Sequence, residues 1–168
     1  MTELHKWLVE AKYDTALLSE IAKSSNQEGL VDQIITLIES DAETQLPGTW
    51  ILKYLVESGQ DLTSQRAKRL VDTLDTLSDW QSKLHVLQLC SNSETLKPET
   101  IANWAKDHLS EENKFLRAWA IYVSVLGFAE NDPELAKQIL NEGLQSDSGS
   151  IRSRAKKAAE QLAKLNAG

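Results

Sequence analysis

The residues best suited to chemistry in this chain are three histidines, one cysteine and many carboxylates. His5, His85 and His108 do not form the HxxxH spacing that places two metal ligands on one helix face. Cys90 lies at helical spacing from other apolar residues, which is typical of a buried structural thiol. Phosphate-binding loops and nucleophile elbows are not present in the sequence. The sequence therefore predicts no catalytic, metal or cofactor residue and favours a binding protein over an enzyme, with catalysis by residues assembled only in space left open.

Five tryptophans stand out in 168 residues, because exposed aromatic rings can form a protein-binding groove or a base-stacking platform. Trp119 lies in a stretch that is apolar nearly all round and is predicted to be buried. Trp50 and Trp80 are predicted to open their helices and to fill gaps between repeats. Trp104 lies beside polar residues and is the tryptophan that we expect at a binding surface, although core packing is the more common use of this residue.

Two basic groups could anchor an acidic partner. Arg66 and Arg69 are three residues apart, so they share one face of a helix. The second group runs from Arg152 to Lys157 near the carboxyl end. A solvated helix face is the alternative for both groups, and Arg152 has a possible structural role instead.

The charge distribution argues against nucleic acid as the main partner. The chain carries a formal net charge of −7, whereas affinity for phosphate backbones comes from clustered lysine and arginine. Five basic residues against one acid give the segment after residue 148 a net charge of +4, which leaves −11 for the residues before it. No apolar run is long enough to span a bilayer or to form a signal peptide. We therefore expect a cytoplasmic protein that has no membrane segment.

Apolar residues recur with the period of an α-helix along the chain, and sustained alternation is absent, so the sequence predicts an all-α protein. Ser25–Glu28 and Ser78–Gln81 fit capping boxes. Asp132 before Pro133 marks another helix start, and Pro47 is read as lying in the first turn of its helix. The predicted helices cover residues 2–12, 15–24, 27–40, 47–58, 63–77, 79–91, 98–109, 113–129, 133–145 and 149–166.

A weak repeat runs through these helices. Units of a helix, a turn and a second helix begin near Asp14, Pro47, Asp79, Asn113 and Gly149, at intervals of 32 to 36 residues. Such helix pairs cannot bury their apolar faces alone, and they stack into arrays in repeat proteins. A globular helical bundle is the structural alternative.

The last third of the chain resembles the HEAT-repeat family. Ile151 and Arg152, followed by Ala155, Ala158 or Ala159 and then Leu162, match the first helix of a HEAT repeat, and Leu116, Arg117 and Ala120 match it more loosely. The resemblance implies one domain over residues 1–168, a short right-handed α-α superhelix of about five stacked helix pairs. It also implies that the small alanines permit close helix approach and that the arginine supports the turn.

The resemblance further implies an adaptor or scaffold that binds another protein on its concave face, which is lined by the second helix of each pair. The residues expected on this face are Arg66, Arg69, Asp72, Asn103, Trp104, Lys106, Lys137 and Asn141.

The residues from Asn103 to Tyr122 also loosely resemble a Trp-rich, Arg-containing stretch of HEAT-like bacterial alkylpurine DNA glycosylases. An enzyme acting on alkylated DNA is therefore the alternative function, and the net negative charge argues against it. A HEAT-like lyase acting on a chromophore is a third possibility that no residue supports. The final helix lacks the second helix of its unit, so a homodimer through its alanine face is predicted.

Overall fold

The computed structural model describes residues 1–24 and 29–168, and within these residues it is all-helical, without strands. A short 3₁₀ turn, Leu74–Thr76, follows the fifth α-helix. The ten α-helices of the described residues are α1 (Glu3–Ala11), α2 (Thr15–Lys23), α3 (Leu30–Ser40), α4 (Ala42–Glu57), α5 (Ser64–Thr73), α6 (Trp80–Cys90), α7 (Pro98–Lys106), α8 (Lys114–Phe128), α9 (Pro133–Leu144) and α10 (Gly149–Ala167).

Short polar side chains begin most of these helices by accepting hydrogen bonds from otherwise unpaired backbone N–H groups. Asp132 accepts from the N–H of Leu135, and Pro133 takes the first helical position as predicted. The box predicted at Ser78 is wrong, because Asp79 is the cap and its carboxylate accepts from the N–H groups of Gln81 and Ser82. The box predicted over residues 25–28 lies outside the described residues.

The start of α4 differs from the prediction. The helix begins at Ala42, with the Asp41 carboxylate accepting from the Glu43 N–H, so Pro47 lies inside the helix and not in its first turn. A proline there costs the hydrogen bond to the carbonyl four residues earlier. Pro47 and its neighbours are buried, so we attribute its tolerance to packing that outweighs the local preference.

The chain folds as two compact units, and the first is Met1–Leu96. Within it, α4 contacts α1, α2, α3 and α6, and α5 contacts α3. Gly48 permits the approach of α3 to α4, since a Cβ atom added there would lie 2.6 Å from Cγ1 of Ile38. The helix α4 is therefore the centre of this unit and is buried nearly all round.

The second unit is Lys97–Gly168, and α8 is its central helix. It contacts α7, α9 and α10, and α9 also contacts α10. The core of this unit includes Ile121, Val125, Ile139, Ile151 and the fully buried alanines of α10, Ala155 and Ala158. Small residues on α10 thus allow close packing, as the resemblance implied.

Two of the tryptophan predictions are wrong in detail. Trp50 does not open a helix, because it lies in the middle of α4, where its ring stacks on Tyr54 at 5.3 Å between centroids. Trp119 is half-buried, not buried. Trp80 does open α6, but its side chain is exposed. In the described part of the chain, no helix is both long enough and apolar enough to cross a membrane.

Candidate functional site

The two arginines predicted at a binding surface on α5 are bonded to residues of α3. Arg66 donates from Nε and Nη2 to the two carboxylate oxygens of Asp32, at 3.0 and 2.6 Å. Arg69 makes a similar bidentate contact with the Glu39 carboxylate, at 2.9 and 2.6 Å. It also donates to the Thr36 hydroxyl at 2.8 Å. The hydrogen bond from Arg66 lowers the pKa of Asp32. Both guanidinium groups therefore join α5 to α3, and acids of the same unit already match their charge.

Asp72 is the third residue predicted on α5. It is exposed, and its Oδ2 atom accepts a hydrogen bond at 2.6 Å from Nζ of Lys68, one turn earlier. A pair of this kind on an open helix face contributes roughly 0.3–0.5 kcal/mol. The carboxylate of Asp72 therefore stays accessible to solvent.

The residues predicted on α7 have mixed surroundings. Asn103 and Lys106 are exposed and lie three residues apart on the same helix, and the Lys106 ammonium is 5.8 Å from the centroid of the Phe128 ring. Trp104 is half-buried, with its ring edge-on to the His108 ring at 4.8 Å between centroids. Trp104 thus packs against its own helix end while its outer part reaches solvent.

The predicted residues of α9 lie together on an open surface. One face of this helix, formed by Ala136, Ile139 and Gly143, is buried against the unit's core. The opposite face carries Lys137 and Asn141, one turn apart and both exposed. An open depression of about 530 Å³ runs along this face, lined by Glu134, Leu135, Lys137, Gln138, Asn141, Glu142 and Gln145.

A second, smaller pocket of about 260 Å³ adjoins the same helix. Its lining comes from α8, α9 and α10, from the connection before α8 and from the connection after α9. The lining residues are Leu109, Arg117, Ile121, Ile139, Glu142, Gly143, Ser146 and Ile151. Glu142 lines both the pocket and the open depression. The surface of α9 and the pocket therefore meet at this carboxylate.

The apolar floor of the pocket follows from helix packing. Ile121, Ile139 and Ile151 are at most 7% exposed and come from three different helices. Gly143 has no side chain to fill the space, and a Cβ atom there would lie 3.0 Å from Cβ of Ala155. The lack of a side chain at this point lets α9 and α10 approach while space remains beside Ser146.

Arg117 supplies the positive charge of the pocket. It lies one helical turn before Ile121 on α8 and is half-buried. Among the described residues, no carboxylate lies within 4.0 Å of its guanidinium nitrogens. The Glu142 carboxylate accepts from the Gln138 amide at 3.1 Å. The pocket therefore combines an apolar floor with one guanidinium and one carboxylate.

The basic group at the start of α10 has structural contacts. Arg152 donates from Nη1 to the carbonyl of Ser146 at 2.6 Å, so it supports the turn between α9 and α10, as the resemblance implied. The Arg154 guanidinium lies 3.8 Å from the centroid of the Trp119 ring, a cation–π contact. Burial lowers the pKa of Arg154.

Many polar contacts between elements of the first unit join residues 30 to 37 positions apart, while Thr44 and Gln45 of α4 also donate to α3 carbonyls seven residues back. Asp32 and Arg66 are 34 residues apart, and Thr49 and His85, whose Oγ1 and Nδ1 atoms lie 3.0 Å apart, are separated by 36. The Asp61 carboxylate accepts from the Ser93 hydroxyl, 32 residues on. Further contacts of this kind are His5 with Asp41, Arg69 with Glu39, Thr36 and Asp32, and Gln45 with Thr76, at separations of 30 to 37.

Sequence reasoning missed the two charged residues of the small pocket. Arg117 was singled out only as a match to the HEAT pattern, and Glu142 not at all. Their meeting depends on how α8 and α9 pack. The one available signal was an arginine between the buried Leu116 and Ala118 of α8, where a charge must have a polar surrounding.

Among the described residues, no group of three or more histidine, cysteine or acidic side chains is placed to hold a metal ion. His108 does pair with an acid, since its Nδ1 atom lies 2.9 Å from Oε1 of Glu111. The chain matches no protein-family model, no curated protein and no solved structure.

Proposed function

We propose that this chain is a protein-binding module with the stacked helix pairs of a HEAT-like α-solenoid, about five pairs in a short right-handed superhelix. The observation that carries the proposal is the recurrent separation of 30 to 37 residues between polar partners on different elements. It is close to the interval of 32 to 36 residues that the sequence predicts between repeat units. In a stacked array, each residue meets its counterpart in the next unit at this separation, because each repeat contacts only its neighbours.

Contacts between the first helices of successive predicted units fit the same arrangement. Most contacts between helices join helices that are adjacent or next but one along the chain, such as α2 with α4, α4 with α6 and α8 with α10. The contact between α1 and α4 is longer in range and does not follow this pattern.

The binding surface that we propose lies on α9, the second helix of its pair. Its exposed row of Lys137, Gln138 and Asn141 offers an ammonium group and two amides along one open depression. Polar side chains of this kind fix the register of a bound chain while they stay hydrated in the free protein. Arg66 and Arg69 are left out of this surface because their charges are matched within the first unit.

Site-specific photocrosslinking tests the proposal. A photoreactive amino acid at position 138 should give a discrete protein adduct in extracts of the source cells. The adduct should disappear when Lys137→Glu and Asn141→Arg are added, because the surface then has the wrong charge and shape. The partner, identified by mass spectrometry, should bind the purified chain and not the double variant.

The matched control is position 156 on α10, which is exposed but lies outside the depression. The same probe there should give no such adduct. Equal adducts from both positions, or none from position 138, would contradict the proposal.

A further inference from the structure

The pocket beside α9 has the chemistry to hold one amino-acid residue that ends in a carboxylate. We infer that it binds the C-terminal residue of a partner protein, with an aliphatic side chain such as leucine in the pocket. This inference rests on the proposed function, since it names the part of the partner that the module would recognise.

The size and lining of the pocket select the side chain. Its volume of about 260 Å³ is several times the roughly 30 Å³ that one water molecule occupies in the liquid. Ile121, Ile139 and Ile151 form an apolar floor that water hydrates poorly. A branched side chain of four carbons fits within this space and would remove apolar surface from water.

The two charged groups of the pocket can bind the main-chain carboxylate and N–H of a C-terminal residue. Arg117 has no acidic partner among the described residues, and a guanidinium can bind both oxygens of a carboxylate at once. Glu142 lies on the rim, where its carboxylate can accept from a backbone N–H. A C-terminal residue presents these three groups together: a side chain, a terminal carboxylate and one N–H.

The position of Glu142 gives the direction of the partner chain. Because this residue lines both the pocket and the open depression, the residues that precede the C-terminus would run from the pocket along the exposed row of α9. The amides of Gln138 and Asn141 line that path and can bond an extended backbone.

A titration with short acetylated peptides, followed by NMR of the ¹⁵N-labelled full chain, tests the inference. The probes are a glycine-rich hexapeptide ending in leucine with a free carboxylate, the same peptide as its C-terminal amide, a version ending in glycine, and free leucine. We expect the leucine acid to shift the amide signals of residues around the pocket. The amide and the glycine version should bind about tenfold more weakly, since each lacks one recognised group.

Two variants test whether Arg117 binds the terminal carboxylate of the peptide. In Arg117→Gln, the leucine acid should bind no better than its amide. In the control Lys114→Gln, which removes the same charge from an exposed position one turn earlier on α8, the preference for the acid should persist. The dispersion of the NMR spectrum of each variant reports that it is folded.

Equal binding of acid and amide, no binding of either, or binding of free leucine as tight as that of the peptide would each overturn the inference. The proposed function is tested separately by the crosslink from position 138. A discrete adduct there, together with no preference for the leucine acid, would leave the module in place and remove only the C-terminal recognition.

Discussion

At the scale of single residues, polar groups that are buried or desolvated govern how the fold responds to pH. His85 is 9% exposed, and burial, with the nearby Lys53 ammonium, lowers its pKa from 6.5 to about 4. Between pH 6.5 and 4, the imidazole of His85 is therefore protonated in the unfolded chain and neutral in the folded chain. Stability is unaffected by this group above pH 6.5 and falls as the pH decreases through that window.

We predict that the free energy of unfolding decreases between pH 7 and pH 4 by up to about 3 kcal/mol on account of His85 alone. Urea titrations at several pH values measure this decrease. In His85→Gln, which cannot titrate, the decrease should be mostly lost. Parallel pH profiles for the two proteins would show that His85 does not stay neutral in the fold.

Asp61 is the polar residue that joins two connecting segments of the first unit. Its carboxylate accepts from the Ser93 hydroxyl at 2.6 Å and from the N–H groups of Glu94 and Thr95 at 2.8 and 3.2 Å. Burial alone would raise the pKa of Asp61, but the hydrogen bonds from Ser93 and the backbone outweigh it and lower the pKa. The segment after α6 is thus fixed by a charge in the α4–α5 connection.

Asp61→Asn should lower the free energy of unfolding by about 2 kcal/mol, because hydrogen bonds to a charged group are lost and an amide donor faces N–H donors. Thermal and urea unfolding measure the loss, and hydrogen exchange should speed up over residues 93–96. The control is Asp72→Asn, an exposed carboxylate in a local pair, which should cost under about 0.5 kcal/mol. Equal effects of the two substitutions would rule out the role given to Asp61.

Residue types and spacing predicted the helix starts at Pro98 and Pro133 and the buried thiol of Cys90, because these depend on local rules. They could not predict that Arg66 would find Asp32, or that Arg117 would lie without an acid beside an apolar pocket. Such pairings depend on which helix faces meet. A sequence gives the face of a residue but not the residue across from it.

At the scale of elements, local signals and packing disagree at one place that is instructive. Pro47 and Gly48 form a pair that normally begins or interrupts a helix, yet both lie inside α4. The earlier cap at Asp41 begins the helix, and Gly48 gives Ile38 room to approach. The dipeptide therefore serves the packing of α3 on α4, which sequence rules cannot reveal.

Gly127 is a position where tight packing should reverse the usual preference of a helix for alanine over glycine. Replacing a helix-interior glycine by alanine normally stabilises a protein by up to about 1 kcal/mol. A Cβ atom at Gly127 would lie 2.6 Å from Cβ of Ala102 and 2.7 Å from the carbonyl oxygen of Pro98. These are contacts between α8 and α7 that cannot relax without moving backbone.

We therefore predict that Gly127→Ala lowers the free energy of unfolding by about 1–3 kcal/mol, the usual cost of overpacking. Differential scanning calorimetry or urea unfolding measures it. Gly149→Ala is the matched control, since its Cβ atom would meet only Nη2 of Arg152 at 3.8 Å, and it should be neutral or slightly stabilising. A stable Gly127→Ala protein would mean that α7 and α8 pack less closely than described.

At the scale of the whole molecule, the sequence predicts a repeat of 32 to 36 residues, and the helix starts follow it only in part. The helices that open the predicted units begin at residues 15, 42, 80, 114 and 149, at intervals of 27 to 38 residues, because the Asp41 cap starts α4 before Pro47. Many polar partners in the first unit have a similar separation. The surface that we propose for a partner could be predicted only in part from the sequence. The exposure of Lys137 and Asn141 was predicted from their helix face, while the pocket beside them is formed by three helices and two connections.

The sequence predicts a homodimer through α10. Ala155 and Ala158 are fully buried within their own unit, so the alanine face expected to contact a second copy is already covered. What remains is the final part of α10, where Leu165 is 61% exposed and Leu162 is half-buried three residues earlier. A homodimer through α10 would therefore be formed by these leucines.

Each copy of such a dimer would bring a segment of net charge +4 to the contact. Because like charges repel and salt screens them, we predict that the dimer tightens as ionic strength rises. Sedimentation equilibrium at high micromolar concentration, in low and high salt, measures this, and Leu165→Glu should abolish the dimer. A monomer in every buffer would remove the prediction, and a dimer that weakens with salt would point to contact of the basic helix with the acidic remainder of a second copy.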